Sequence, residues 1–300
     1  MVREIPEIRH NKDINHIIRH YKIAYNQVVK ELVSLLDEPN ISDIYRQQEG
    51  SLARQILFIL NQADEQALPE TEALIRKAFT EGQAQTIFSL GEASTLSEAT
   101  NGVSFSMLAK QSVEAIITDT FEDVLAITNR TDKKIKKTIR DIAGETMRLN
   151  AIQQLGYETT RKEIISKLLK EGFTKEIKET FKGVTDSAGR KWKLDSYVNM
   201  LVKTKMQQSY MEGIITESVE RGSDLGIISS HGATDKCSHY EGMIISLTGN
   251  TSGYLSYQEL KSSNHIFHPH CKHTVTPIRD ITLLPQSLQD VHTSRMANLL

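Results

Sequence analysis

The chain is poor in cysteine, proline and tryptophan, and it contains no long apolar run. Two cysteines among 300 residues are too few for a disulfide-rich secreted scaffold. No apolar run approaches the roughly 20 residues that span a bilayer, so we expect no membrane span. A glycine-rich phosphate loop and a strand-to-helix nucleophile elbow are also missing, which disfavours the nucleotide-binding and hydrolase classes that carry those motifs.

The net charge of −2 conceals an uneven distribution along the chain. Residues 1–128 carry 11 basic against 19 acidic side chains, whereas the basic stretch 129–191 carries 16 against 9. An acidic part followed by a basic part indicates a different partner for each. The first basic residues are candidates for binding DNA phosphates; they are Lys133, Lys134, Lys136, Lys137 and Arg140. A solvated helix surface remains the alternative, because no aromatic residues interleave for base stacking.

Apolar residues recur at helical spacing through most of the first 180 residues. The predicted helices are 13–36, 42–60, 69–91, 105–125, 132–156 and 159–170. Pro69 suits the first turn of the third helix, where its missing N–H costs nothing. The segment 91–102 is rich in small polar residues and is predicted to be a loop.

The pattern changes after residue 184. A turn at Asp186–Gly189 separates two short extended pieces, and a long helix is predicted from about Leu194 to Glu220. Strands are then predicted at 225–230, 243–247 and 273–278, with a short helix at 256–262. The expected fold is mainly α, with an elongated helical N-terminal part and a small α+β C-terminal domain. The predicted domains are 1–184 and 185–280, followed by a C-terminal tail, 281–300, which is either one peripheral helix or flexible.

Both cysteines and six of the ten histidines lie between Ser229 and Pro277. Their order, Cys-x-His followed by His-x-His-Cys-x-His, predicts a knuckle-type cluster that binds Zn²⁺ tetrahedrally. Such a site has four places, and more candidates than that are present. They are Cys237, His239, His268, Cys271 and His273, with His231 in reserve. A metal-free corner, in which these side chains bond backbone groups, is the alternative.

The same region resembles a known family. The motif Trp192-x-Leu194-x-x-Tyr197 and the helix segment Lys203-Thr204-Lys205 precede the cluster, in an order that resembles the Mu F-like head morphogenesis proteins of tailed phages. The sister family of phage minor capsid proteins (minor capsid protein 2-like) is matched more closely, at Ser229-Ser-His231 and Cys271-Lys-His273. The resemblance covers about residues 185–280. Lys205 replaces the usual glutamate of the helix motif, and His239 would stand in for a missing second cysteine.

This resemblance implies a structural minor capsid protein of a tailed phage or prophage, rather than an enzyme. It implies a virion component inside the capsid, assembled in the bacterial host cytoplasm and associated with the portal vertex. The implied partners are the portal protein, the major capsid or scaffold protein, and double-stranded DNA during packaging or ejection. Two alternatives stay open. One is a thiol- or metal-dependent hydrolase or toxin-associated enzyme that uses a cysteine–histidine pair, and the other is a cellular zinc-bearing adaptor.

Overall fold

The computed structural model describes residues 10–34, 49–152, 184–185, 191–192, 194–269 and 271–299. Within them the chain is mainly helical with a small three-stranded sheet, which confirms the predicted fold class. The helices are α1 (Asn11–Ser34), α2 (Glu49–Ser89), α3 (Leu96–Asn101), α4 (Met107–Ile152), α5 (Leu194–Glu220), α6 (Tyr257–Ser263) and α7 (Gln286–Leu299). The strands are β1 (Val184–Thr185), β2 (Lys191–Trp192), β3 (Leu225–Ile228), β4 (Ile244–Ser246) and β5 (Val275–Ile278). Among the described helices, none is long and apolar enough to cross a membrane.

By its internal packing the chain divides into two compact units. The first unit comprises Met1–His10, Glu72–Asp119 and Met200–Leu300, and the second comprises Asn11–Thr71 and Thr120–Asn199. Helices α2, α4 and α5 each contribute residues to both units. The domain limits drawn from the sequence stay predictions, and none of them coincides with a limit of these units.

In the first unit, α2 and α5 approach so closely that only glycine fits at two points of contact. A β-carbon on Gly82 would overlap the carbonyl oxygen of Tyr210, and one on Gly213 would overlap the carbonyl oxygen of Phe79. Glycine inside a helix costs about 1 kcal/mol relative to alanine. The close backbone contact is the structural reason for both glycines.

Buried polar side chains reinforce the contact between α2 and α5. The hydroxyl of Ser209 donates to the carbonyl oxygen of Ile75 at 2.8 Å, and the hydroxyl of Thr86 donates to a carbonyl oxygen of α5 at 3.3 Å. The amide of Gln83 donates to the carboxylate of Glu217 at 2.9 Å. Because buried polar groups are costly unless they are hydrogen-bonded, these pairs specify how the two helices meet.

The small sheet of the first unit is antiparallel, in the order β4–β3–β5. Helix α5 is followed by Gly222, whose φ of +66° is readily adopted by glycine, and β3 begins three residues later. In the central strand, Ile227 lies opposite Ile244 on one side and Thr276 on the other. The strands lie within two residues of the predicted ranges.

Helix α7 packs against β4, so the predicted C-terminal tail includes an ordered helix. The Nδ1 atom of His292 accepts a hydrogen bond from the backbone N–H of Ile244 at 3.2 Å. Its ring stacks on Tyr254, with the ring centroids 5.4 Å apart, and Val291 fills the space beside Gly242. Burial lowers the pKa of His292, which suits a neutral ring that accepts a hydrogen bond.

In the second unit, the apolar side of α1 is buried in a core that also holds a carboxylate. The hydroxyls of Tyr21 and Thr128 both donate to Asp64 Oδ1, each at 2.9 Å. Burial raises the pKa of Asp64 to about 6, although both hydrogen bonds act in the opposite direction. The buried carboxylate thus joins side chains from α1, α2 and α4.

Three predictions about the helices are wrong. The helices predicted at 105–125 and 132–156 form one continuous helix, α4. Pro69 does not start a helix but lies inside α2, which is continuous from Glu49 to Ser89. Side chains of α2 are buried both before and after Pro69, and this burial outweighs the cost of an interior proline, about 3 kcal/mol. The predicted loop contains α3, whose N-cap Thr95 accepts a hydrogen bond from the N–H of Glu98 at 3.1 Å. The helix predicted at 159–170 lies outside the described residues.

We expect Gly82→Ala to destabilise the protein, although alanine is the better helix former. The added methyl group would overlap a backbone oxygen, and overpacking costs about 1–3 kcal/mol, against a gain of about 1 kcal/mol in helix propensity. Urea unfolding should show a lower midpoint. Gly102→Ala is the control, because Gly102 has a φ of −85° and the nearest atom to a new β-carbon would be 3.4 Å away. An unchanged midpoint for Gly82→Ala would contradict the close contact.

Candidate metal centre

The first knuckle is a short 3₁₀ helix, Lys236–His239, which places Cys237. The carboxylate of Asp235 caps this helix and accepts a hydrogen bond from the backbone N–H of Cys237 at 3.0 Å. The N–H of Tyr240 donates to the carbonyl oxygen of Cys237 at 3.0 Å. These bonds hold Cys237 in the interior, where it is only 2% exposed.

The second knuckle lies between α6 and β5. Phe267 has a left-handed φ of 58°, which turns the chain just before the ligands. The N–H of Cys271 donates to the carbonyl oxygen of His268 at 2.9 Å, so a tight turn brings these two residues together. His273 precedes β5, and the side chain of Gln207 on α5 donates to its carbonyl oxygen at 3.1 Å.

Three donor atoms from the two knuckles, on Cys237, His268 and Cys271, all lie within 4.8 Å of one another. The Sγ atom of Cys237 is 3.1 Å from Nε2 of His268 and 3.9 Å from Sγ of Cys271. The Sγ atom of Cys271 is also 3.3 Å from Nδ1 of His273. Tetrahedral zinc, with bonds of about 2.3 Å to sulfur and 2.0–2.1 Å to nitrogen, separates its ligand atoms by roughly 3.3–3.8 Å. The observed separations lie close to that range.

Hydrogen bonds around the two histidines leave the nitrogen that faces the sulfur atoms able to bind a metal. The Nδ1 atom of His268 is 2.9 Å from the carbonyl oxygen of Pro269. A carbonyl oxygen only accepts, so Nδ1 carries the hydrogen and Nε2 presents a lone pair. Likewise, Nε2 of His273 is 3.2 Å from the carboxylate of Glu241, which leaves Nδ1 for a metal. Metal-binding histidines usually donate their second N–H in this way, so the residues fit zinc.

Glu241 is a functional candidate that the sequence reasoning missed. Besides facing His273, its Oε1 atom accepts hydrogen bonds from the backbone N–H groups of His231 at 2.9 Å and Ala233 at 3.0 Å. Burial tends to raise the pKa of Glu241, but these bonds and the charge of His273 lower it overall. Glu241 therefore orients His273. The one signal in the sequence is that this acid lies two residues after the first knuckle.

The protonation of Cys237 determines how a metal would bind. Both cysteines are free. Burial raises the pKa of Cys237 to about 12, and the nearby Cys271 and Asp235 add to this shift. Because metal ions bind the thiolate, binding at this site releases a proton.

The structure brings three of the six predicted metal ligands, Cys237, His268 and Cys271, together as one group. His273 approaches Cys271 but belongs to a second group of potential metal ligands, with His231 and Glu241. The reserve candidate, His231, stacks on His273 with ring centroids 4.2 Å apart, and its Nδ1 atom is 3.9 Å from Glu241. His239 is exposed at the end of the 3₁₀ helix, and no group of potential metal ligands in the described part of the chain includes it.

The basic candidates for DNA binding differ in how open they are to solvent. Lys133 and Lys137 are exposed, one turn apart on α4. Lys136 instead forms an ion pair of 2.6 Å with Asp132. The side chains of the other two candidates, Lys134 and Arg140, lie outside the described residues.

Comparison with known proteins gives a family match over most of the chain. A family model described as phage minor capsid protein 2 matches residues 46–298, a range that includes both knuckles. No curated protein and no solved structure gives a significant match.

We expect the cluster to bind one zinc ion and Cys271→Ser to lose it, because a serine hydroxyl does not replace a thiolate ligand. The loss should also lower the thermal unfolding temperature, since a structural zinc contributes to the free energy of folding. Elemental analysis and thermal unfolding of the purified chain measure both effects. His239→Gln is the matched control and should keep its zinc. Zinc lost from His239→Gln but retained by His268→Gln would contradict this ligand set.

Proposed function

Because the chain belongs to the phage minor capsid protein 2 family, we propose that it is built into the phage head at the portal vertex, inside the capsid. The observation that carries the proposal is the family match over residues 46–298. Its partners in this proposal are the portal protein and the major capsid or scaffold protein, and assembly occurs in the host cytoplasm. The acidic part, residues 1–128, is the proposed docking region for these proteins.

In this proposal, the role of the Cys/His cluster is to fasten the C-terminal part of the first unit. A zinc ion held by Cys237, His268 and Cys271, with the neighbouring His273 as the proposed fourth ligand, would tie the segment after β3 to the segment before β5. Structural zinc sites of this kind have four protein ligands and leave no open position for a substrate. The strands that they would secure have only three or four residues each, so a metal crosslink would add substantially to a small core.

A thiol-dependent hydrolase is the alternative that one distance favours. The 3.1 Å between Cys237 and His268 is within reach of a nucleophile and its general base. A nucleophilic cysteine, however, needs a lowered pKa and access to substrate. Burial raises the pKa of Cys237, and the residue is 2% exposed. Both observations support the structural role.

The basic stretch supports a further part of the proposal, contact with packaged DNA. Residues 129–191 carry 16 basic against 9 acidic side chains. Within them, Lys133 and Lys137 are exposed on one side of α4. Lysines in this arrangement can neutralise neighbouring phosphates and release counterions from DNA.

In purified particles we expect the protein to lie at a single vertex, because its proposed partner, the portal, occupies one vertex. Gold-labelled antibodies applied to opened heads should mark one vertex per particle. Antibodies against the major capsid protein, which should label the whole shell, are the control. Label spread over the shell would contradict the portal location, and absence of the protein from particles would contradict the structural role.

We expect Lys133→Gln/Lys137→Gln to weaken the binding of double-stranded DNA to the full chain. Each lost phosphate contact should reduce the magnitude of the slope of log affinity against log salt by about 0.9. The slope of the double variant should therefore be smaller in magnitude by up to about 1.8. Fluorescence anisotropy at several salt concentrations measures this slope. Lys136→Gln is the matched control and should have a smaller effect, because Lys136 is already paired with Asp132. The DNA proposal fails if the double variant keeps the wild-type affinity and slope.

A further inference from the structure

A second group of potential metal ligands lies in the second unit, between α1 and α2. His16 and His20 are four residues apart on α1, so their side chains lie on the same side of the helix. They meet Glu70 and Gln66, which are four residues apart on α2. One donor atom from each of His16, His20 and Glu70 lies within 4.8 Å of the other two.

Both histidines converge on the two oxygen atoms of one carboxylate. The Nδ1 atom of His16 is 2.9 Å from Oε2 of Glu70, and Nε2 of His20 is 3.1 Å from Oε1. The two rings meet edge to face, with centroids 5.4 Å apart. Two imidazole nitrogens and one carboxylate are a donor set that divalent transition metals bind in proteins.

The hydrogen bonds of His20 leave an unfavourable contact that a cation would relieve. The Nδ1 atom of His20 is 2.9 Å from Oε1 of Gln66, an oxygen that only accepts, so a neutral His20 carries its hydrogen on Nδ1. Its Nε2 atom then turns a lone pair towards the Glu70 oxygen 3.1 Å away. A second proton on His20 or a metal ion between the two atoms removes this repulsion.

The exposure of the three side chains favours the metal ion. His20 and Glu70 are 14% and 34% exposed, whereas His16 is 60% exposed. The group is therefore held in place on its inner side and open to water on its outer side, so an ion can enter and keep a water ligand. A proton on His20 would involve one nitrogen only, whereas a metal ion uses all three converging groups.

We propose that His16, His20 and Glu70 bind one divalent transition-metal ion of the Zn²⁺, Co²⁺, Ni²⁺ or Cu²⁺ class. The ligand atoms are Nδ1 of His16, Nε2 of His20 and the carboxylate of Glu70, and water completes the coordination. The ion joins α1 to α2. This site shares no residue with the Cys/His cluster, and both histidines precede the residues that the family model matches.

Co²⁺ is the probe that separates this site from the cluster, and the full chain is used. Equilibrium dialysis counts the ions bound, and the absorption spectrum distinguishes cobalt bound by sulfur, through its thiolate-to-metal charge-transfer band, from cobalt bound by nitrogen and oxygen. We expect His16→Gln/His20→Gln to bind one Co²⁺ fewer than the wild type, with any charge-transfer band unchanged. His10→Gln is the matched control and should bind as many ions as the wild type, because His10 lies 2.8 Å from Glu81 but belongs to no group of three potential metal ligands in the described residues.

Equal numbers of Co²⁺ bound by the wild type and the double variant would overturn the proposal. A second proton on His20 would then be what removes the repulsion between its Nε2 atom and Glu70. If circular dichroism shows that the double variant has lost its helices, Glu70→Gln decides instead. This single change keeps the shape of the side chain but removes the charged ligand. The affinity for the Co²⁺ ion bound by His16, His20 and Glu70 should therefore fall about tenfold or more. An unchanged affinity in Glu70→Gln would overturn the proposal equally.

Discussion

The direct backbone contact between α2 and α5, at Gly82 and Gly213, determines where the other elements of the first unit can lie. Because the two helices touch, buried hydroxyl groups on each reach carbonyl oxygens on the other. Helix α5 leads through Gly222 into the central strand of the sheet. The same helix holds the second knuckle through the bond from Gln207 to the carbonyl of His273. The positions of the candidate zinc ligands therefore depend on a helix contact that is possible only because Gly82 and Gly213 have no side chains.

The Cys/His cluster is organised by its surroundings as well as by its ligands. Asp235 fixes the first knuckle, the carbonyl of Pro269 sets the ring of His268, and Glu241 sets the ring of His273. Each of these partners is an oxygen that accepts a hydrogen bond, so each selects one orientation of the group that it holds. The donor atoms are thus oriented before a metal binds, so fewer side-chain conformations have to be fixed on binding.

The second half of the chain was predictable because its local signals agree with one another. The apolar residues at helical spacing predicted α5 from Leu194 to Glu220, and the short apolar runs predicted the three strands to within two residues. The failures arise from distant contacts. Pro69 is a good helix start by local rules, yet burial on both sides carries α2 through it. Spacing alone also treats His239 and His268 as equal ligands, and only the folded chain brings the second of these to Cys237.

The C-terminal helix α7 also covers part of one edge of the three-stranded sheet. A three-stranded sheet has two open edges, and an edge with unpaired N–H groups can add a strand from a neighbouring molecule. On β5, Pro277 has no N–H to offer. On β4, His292 of α7 occupies the N–H of Ile244. The N–H of Ser246, on the same edge, is bonded to the carbonyl oxygen of Leu255. Removing α7 would therefore leave the N–H of Ile244 open to a strand from a neighbouring molecule.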